Sequence, residues 1–387
     1  MGWFKLQFLR ANSGSRGPCD ASKTERWPRK PLLMLALGIL TSTPGLAAAT
    51  DCPGTDVDEF VYLTNQEAID TYQANYGPCD RIAGSMVIDY VPEPEKSPIT
   101  DLGPMSWLVE IGQSLRITGG QFPSLAGLNN LQSVGEQLVI EGSSPITNLA
   151  GLDGLVSAGD LLLVGLPNLV SLSGMTSLTA VQSLRLTSVS GLTDLSGLPA
   201  SLAVGILVIE DTPGLTSLDG ISAISGLEYL ALTGNLQLAD VGGLADSTFA
   251  SDPENGVPSV TIQNNLALTS LAGLPVGAQT GSLSIDSNPN LTSLNGLQNL
   301  VEVWGILNIV DNPSLSDCQA LATVLDAVDD GDPGPGTGID VNDPPDTLGL
   351  DYISLDGNFA GCNSISEILA SVQNQVILED SFEGPIP

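Results

Sequence analysis

The chain has 387 residues, 42% of them hydrophobic, with 11 lysines and arginines against 44 aspartates and glutamates and no histidine. A formal charge of −33 repels phosphate backbones and anionic headgroups, which excludes nucleic acid and acidic lipid surfaces as partners. Without histidine, Ser-His-Asp and Cys-His nucleophiles and histidine metal sites are excluded too.

At the N-terminus, Arg29 and Lys30 precede an apolar run from Leu32 to Leu40, followed by Pro44 and Leu46-Ala47-Ala48-Ala49. That order predicts a secretory signal with an extended n-region over 1–49, cleaved after Ala49, and hence an exported chain, extracellular, periplasmic or at the cell surface. A transmembrane anchor needs about 20 apolar residues, and this run is broken by Thr41, Ser42, Thr43 and Pro44. Without residues 1–50 the chain keeps 4 basic and 42 acidic residues, a formal charge of −38.

Four cysteines remain, Cys52 with Cys79 and Cys318 with Cys362. An even count in an exported chain suggests two disulfides. Of the three pairings that four cysteines permit, the grouping favours Cys52–Cys79 and Cys318–Cys362, one at each end. Residues 50–85 are expected to form an N-terminal cap.

From residue 86 the chain repeats. Leu115-Arg116-Ile117, Leu138-Val139-Ile140, Leu161-Leu162-Leu163, Leu184-Arg185-Leu186, Leu207-Val208-Ile209 and Leu230-Ala231-Leu232 follow one another at 23 residues. The series begins at Met86-Val87-Ile88 and continues at Val260-Thr261-Ile262, Leu283-Ser284-Ile285, Leu307-Asn308-Ile309 and Ile353-Ser354-Leu355, the last 46 residues, or two periods, after Leu307. The one 30-residue step holds Ser247 to Gly256, read as a loop insertion. Each triplet is a short strand with alternate side chains inward. Asn-Pro or its substitute turns the corner, as at Asn288-Pro289, and a glycine such as Gly296 permits a tight bend. One unit cannot bury its own apolar face, so the units must stack. The stretches between strands are rich in Ser, Thr, Gly and Pro, which disfavours helices there. The expected fold is mostly β, a parallel β-solenoid with repeats of about 23 residues over 86–315.

The Asn-Pro-x-Leu-x-Ser-Leu-x-Gly-Leu frame at 288–297, in part repeated at 312–318, and the ending Ser316-Asp317-Cys318 through Gly361-Cys362-Asn363-Ser364 resemble the receptor L-domain-like leucine-rich repeats of bacterial surface proteins. The resemblance spans about residues 86–372 and implies a leucine-rich-repeat solenoid closed by disulfide-bearing caps. It implies a binding role without naming the ligand.

Residues 316–377 form the expected C-terminal cap, with a tail at 378–387. Inside the cap, Asp329, Asp330, Asp332, Asp340 and Asp343 lie in a Gly- and Pro-rich stretch. They are the candidate Ca²⁺ ligands, although the spacing departs from an EF-hand loop and a solvated acidic loop fits better. No other cofactor is expected.

Chemistry is sparse. Two carboxylates suffice for glycoside hydrolysis, and Glu210-Asp211 is such a pair, but adjacent acids are common at this composition and the cations and aromatics that hold sugars are few. No enzyme is expected, a polysaccharide-acting one being the minor alternative. Alternation puts Arg116, Val139, Leu162, Arg185, Val208, Ala231, Thr261, Ser284 and Asn308 in one outward row. The first six are the candidate ligand-binding residues, an apolar strip with two guanidiniums three strands, or about 14 Å, apart. The expectation is a binding or adhesion module for a protein or glycan. A passive envelope component is the alternative.

Overall fold

The structure is a computed structural model, which describes residues 49–53, 56, 59–90, 97–142, 145–221, 223–250, 257–326 and 353–371. The expected signal segment up to residue 48, the five candidate Ca²⁺ ligands and the expected C-terminal tail lie outside these residues.

Twelve strands form the main path of one parallel sheet, in sequence order. They are β1 Phe60–Leu63, β2 Ser85–Asp89, β3 Leu115–Thr118, β4 Ser133–Glu141, β5 Ser157–Val164 and β6 Ala180–Thr187. The path continues through β7 Ala203–Glu210, β8 Tyr229–Thr233, β9 Ser259–Gln263, β10 Leu283–Asp286, β11 Leu307–Val310 and β12 Ile353–Ser354. Each triplet sits in register on the next, as in Leu115↔Leu138, Leu138↔Leu161 and Leu161↔Leu184. The molecule is a parallel β-solenoid.

Register follows from the repeat. The first and third triplet residues, such as Leu161 and Leu163, are fully buried and join one core cluster running through the stack. A slip by one residue would turn that column outward, so burial holds the alignment. The later leucines of each repeat, such as Leu169 and Leu172, fill the rest of the interior.

Two backbone devices recur. The residue four after the triplet start has positive φ in every triplet from Leu115 on: Gly119, Gly142, Gly165, Ser188, Asp211, Gly234, Asn264, Ser287, Asp311 and Gly357. Its N–H donates to the carbonyl of the next coil, as from Gly165 to Thr187 and from Asp211 to Thr233. This left-handed residue turns the chain while keeping the coil-to-coil ladder unbroken. The glycine of the x-Gly-Leu frame does a second job. At Gly174, φ is +118° and a Cβ would stand 2.2 Å from the Leu149 carbonyl carbon. The bend expected at this glycine is thus also a point of close approach between coils.

The structure moves three boundaries. The sheet starts earlier than Met86, because β1 pairs ahead of β2 through Val61↔Met86 and Leu63↔Ile88. The span read as a loop from Ser247 belongs in part to a coil: Ser247 donates to the Ile221 carbonyl, and Phe249 bridges to Leu227. Ile353 pairs directly with Leu307, so the 46-residue interval is a single step of the sheet rather than two.

The ends are closed as the cysteines suggested, by Cys52–Cys79 and Cys318–Cys362. At the N-terminal end a helix absent from the sequence reading, α1 Gln66–Tyr76, is capped by the Asn65 side chain, which accepts from the Ala68 N–H at 2.9 Å. It buries Ile69 and Tyr72 against the end of the core. Arg81 ties this cap together through Asp51 at 3.2 Å and Glu110 at 3.1 Å.

Candidate functional site

Register brings the six candidate residues together. Arg116, Val139, Leu162, Arg185, Val208 and Ala231 form one row across β3–β8. Thr261, Ser284 and Asn308 continue it across β9–β11.

Accessibility divides the row. Val139, Val208 and Ala231 are only 7%, 8% and 6% exposed, although none belongs to the core cluster. At a strand spacing of about 4.8 Å, side chains on a regular sheet face cover one another. Leu162 and Arg185 are half-buried and Arg116 is exposed. The apolar strip therefore narrows, for any partner, to Leu162 and the rims of its neighbours.

The two guanidiniums differ as well. Arg116 forms an ion pair with Glu141 on the next strand. Arg185 Nε donates to Ser183 Oγ at 3.0 Å, and among the described residues it makes no ion pair. The rest of the face is knitted by polar pairs between strands, such as Gln137 to Asp160 at 3.0 Å and Gln263 to Asp286 at 2.7 Å. Glu210 ends β7 and Asp211 is the left-handed corner after it, so this carboxylate pair stands at a turn. Among the described residues no group of three or more acidic or cysteine side chains is placed to hold a metal ion.

A second concave region lies at the N-terminal end. Phe60 and Tyr62 on β1 and Thr71, Tyr72, Asn75 and Tyr76 on α1 line a cavity of about 340 Å³. The Phe60 and Tyr62 ring centroids are 6.0 Å apart at 28°, and Tyr72 and Tyr76 are 5.0 Å apart. Tyr72 also stacks on Trp107 at 5.1 Å with an interplanar angle of 3°. Burial first, and the neighbouring Tyr76 second, push the Tyr72 hydroxyl up to about 12, so it stays protonated at any ordinary pH. The sequence reading missed this cluster. Its available signal was distribution: six of the eleven aromatic residues among those described fall between Phe60 and Trp107.

A third feature, a shallow depression along the C-terminal corners, is lined by Leu266, Pro289 and Pro313 beside Asn264, Ser287 and Asp311.

The chain matches no family model, no curated protein and no solved structure. The class rests on the fold, a disulfide-capped parallel β-solenoid. Among the described residues no helix is long and apolar enough to cross a membrane.

Proposed function

We propose that this protein is an exported recognition module that holds a protein or glycan partner on the outward face of its sheet, centred on Leu162 between Arg116 and Arg185. The observation that carries the reading is the clustering of cations. Of only four basic residues beyond the signal segment, two lie in one row of that face, three strands apart. A guanidinium beside a half-exposed leucine is the pairing of charge and apolar contact that anchors interfaces. The resemblance to receptor L-domain-like leucine-rich repeats supports the same role, and the two disulfides support an oxidising, extracytoplasmic setting.

The test is a pull-down from envelope extracts and secreted proteins, and an array of immobilised glycans, with the wild-type protein and the double variant Arg116→Glu/Arg185→Glu. A saturable partner whose binding falls at least about tenfold in the double variant, a loss of about 1.4 kcal/mol, is the expected result. A partner bound equally by both proteins sinks this placement of the site.

A further inference from the structure

We infer that the aromatic cavity at the N-terminal end is a second binding site, and that its ligand is a neutral sugar ring of a polysaccharide. The inference names other residues than the sheet-face reading, at the end of the stack, although Tyr62 continues the same outward row two strands before Arg116.

Four aromatic rings, those of Phe60, Tyr62, Tyr72 and Tyr76, line one cavity. Two of them are displayed rather than buried. Phe60 is 58% and Tyr62 62% exposed, on a terminal strand that pairs on one side only among the described residues. Large rings held in water on a rigid edge mark contact surfaces, since each carries much apolar area into a complex and gives up little side-chain entropy. Phe60 and Tyr62 are alternate residues of β1, so their rings form a platform of two adjacent faces. The Tyr72 ring is fixed from behind by Trp107, which makes the cavity wall pre-formed.

The chemistry of the lining selects the ligand. Among the described residues no carboxylate or guanidinium borders the cavity, although acidic residues number 44 in the chain. An anion would approach against the net charge of the whole molecule, and a cation, although ring faces attract it, offers the Asn75 amide and the tyrosyl hydroxyls no acceptor. What remains is a neutral ligand with an apolar face and polar edges. The α1 wall supplies the polar groups, the Asn75 amide and the Thr71 and tyrosyl hydroxyls. A pyranose has this composition: its C–H face lies on an aromatic ring while its hydroxyls reach amides and hydroxyls at the rim. The volume of about 340 Å³ falls at the small end of the usual range for small-ligand sites, about 300–1,000 Å³.

The purified protein is titrated by calorimetry with neutral hexasaccharides of β-linked glucose, xylose, mannose and galactose, and in parallel with a proline-rich and an arginine-rich peptide. The expected result is binding of at least one hexasaccharide, weakened about tenfold in Tyr62→Ala, as the loss of one stacking ring implies. Tyr62→Trp restores it and Arg116→Glu/Arg185→Glu leaves it unchanged. Because Tyr62 is exposed, the variants keep the wild-type circular dichroism. Three results overturn the inference: no hexasaccharide binds, binding is equal in Tyr62→Ala, or a peptide and not a sugar binds in a Tyr62-dependent way. Sheet-face binding lost in the double arginine variant with sugar binding intact tells the two sites apart.

Discussion

One buried position recurs just after the left-handed corner of each coil, and the two halves of the solenoid fill it with opposite chemistry. In the N-terminal half, among the described residues, it holds Gly120, beside which the Phe122 ring takes up the space, and Leu166 and Val189, all buried. In the C-terminal half it holds Asn235, Asn265, Asn288 and Asn312, equally buried, with Thr212 at the changeover. The asparagines form a ladder. Asn288 Oδ1 accepts from the Asn265 N–H at 3.1 Å, and its Nδ2 donates to the Ile262 carbonyl at 3.0 Å. Its own N–H donates to Asn312 Oδ1 at 3.0 Å, and the pattern passes on to Asn358. The same backbone thus accepts either filling. An apolar corner asks only for volume, whereas an amide corner asks for its neighbour in register, because a buried donor or acceptor left alone is costly.

The sharpest way to break this comparison is to exchange the fillings. Asn288→Leu keeps the branched shape but strips Asn265 of its acceptor and Ile262 of its donor, and is expected to cost about 3 kcal/mol. Leu166→Met, a volume-conserving change at an apolar corner, is expected to cost about 1 kcal/mol. Urea denaturation measures both losses, and hydrogen exchange locates them, since a solenoid is stabilised by nearest-neighbour contacts. Equal losses would show that the corner chemistry makes no difference between the halves.

A smaller effect is expected at the left-handed residue itself. A Cβ at Gly165 would meet nothing within 4 Å, so Gly165→Ala isolates the backbone term at φ +60°. The expected loss is about 1 kcal/mol. The reverse change, Ser188→Gly at φ 57°, is expected to gain about 0.5 kcal/mol, the relief of φ being partly offset by a freer unfolded chain. Stabilisation by Gly165→Ala would contradict the assignment of strain to this residue.

The smallest effect concerns another corner, where a side chain two residues back accepts from a backbone N–H. Ser171 serves Ser173 and Ser217 serves Asp219 through hydroxyls, while Asp194 serves Ser196 at 2.9 Å through a carboxylate. That backbone N–H holds the Asp194 carboxyl below its ordinary range, aided by the Ser196 and Thr193 side chains. A depressed folded-state value means that its contribution is complete above the ordinary aspartate range and is lost as pH falls through the lowered value. Asp194 is half-buried and its bond to Ser196 lies in an exposed corner, so the contribution is slight. An NMR titration should place the Asp194 midpoint below that of an unstructured aspartate, and an ordinary midpoint would refute the bond.

Much of this molecule was legible before folding was considered. The constant 23-residue spacing of triplets such as Leu161-Leu162-Leu163 could be satisfied only by stacking, and alternation within the triplet named both the core column and the outward row. Cysteine grouping pointed to the pairs at each end. The strand Phe60–Leu63 and helix α1 were not legible, because each occurs once and has no period to expose it. The insertion before β12 was misread for the opposite reason: 46 residues equals two periods by length alone, and only pairing shows that one step was taken.

The sequence by itself determined the repeat, the strand register and which residues face in, because one apolar column repeated many times leaves a single alignment that buries all its members. Tertiary structure decided what the outward residues offer. Val139, Val208 and Ala231 are apolar and outward by sequence, yet neighbouring strands leave them almost no accessible area. Phe60, Tyr62 and Tyr76 lie up to 16 residues apart along the chain, yet they line one cavity because α1 folds back beside the terminal strand. Exposure and concavity depend on what lies alongside a residue in space, and a sequence records only what lies before and after it.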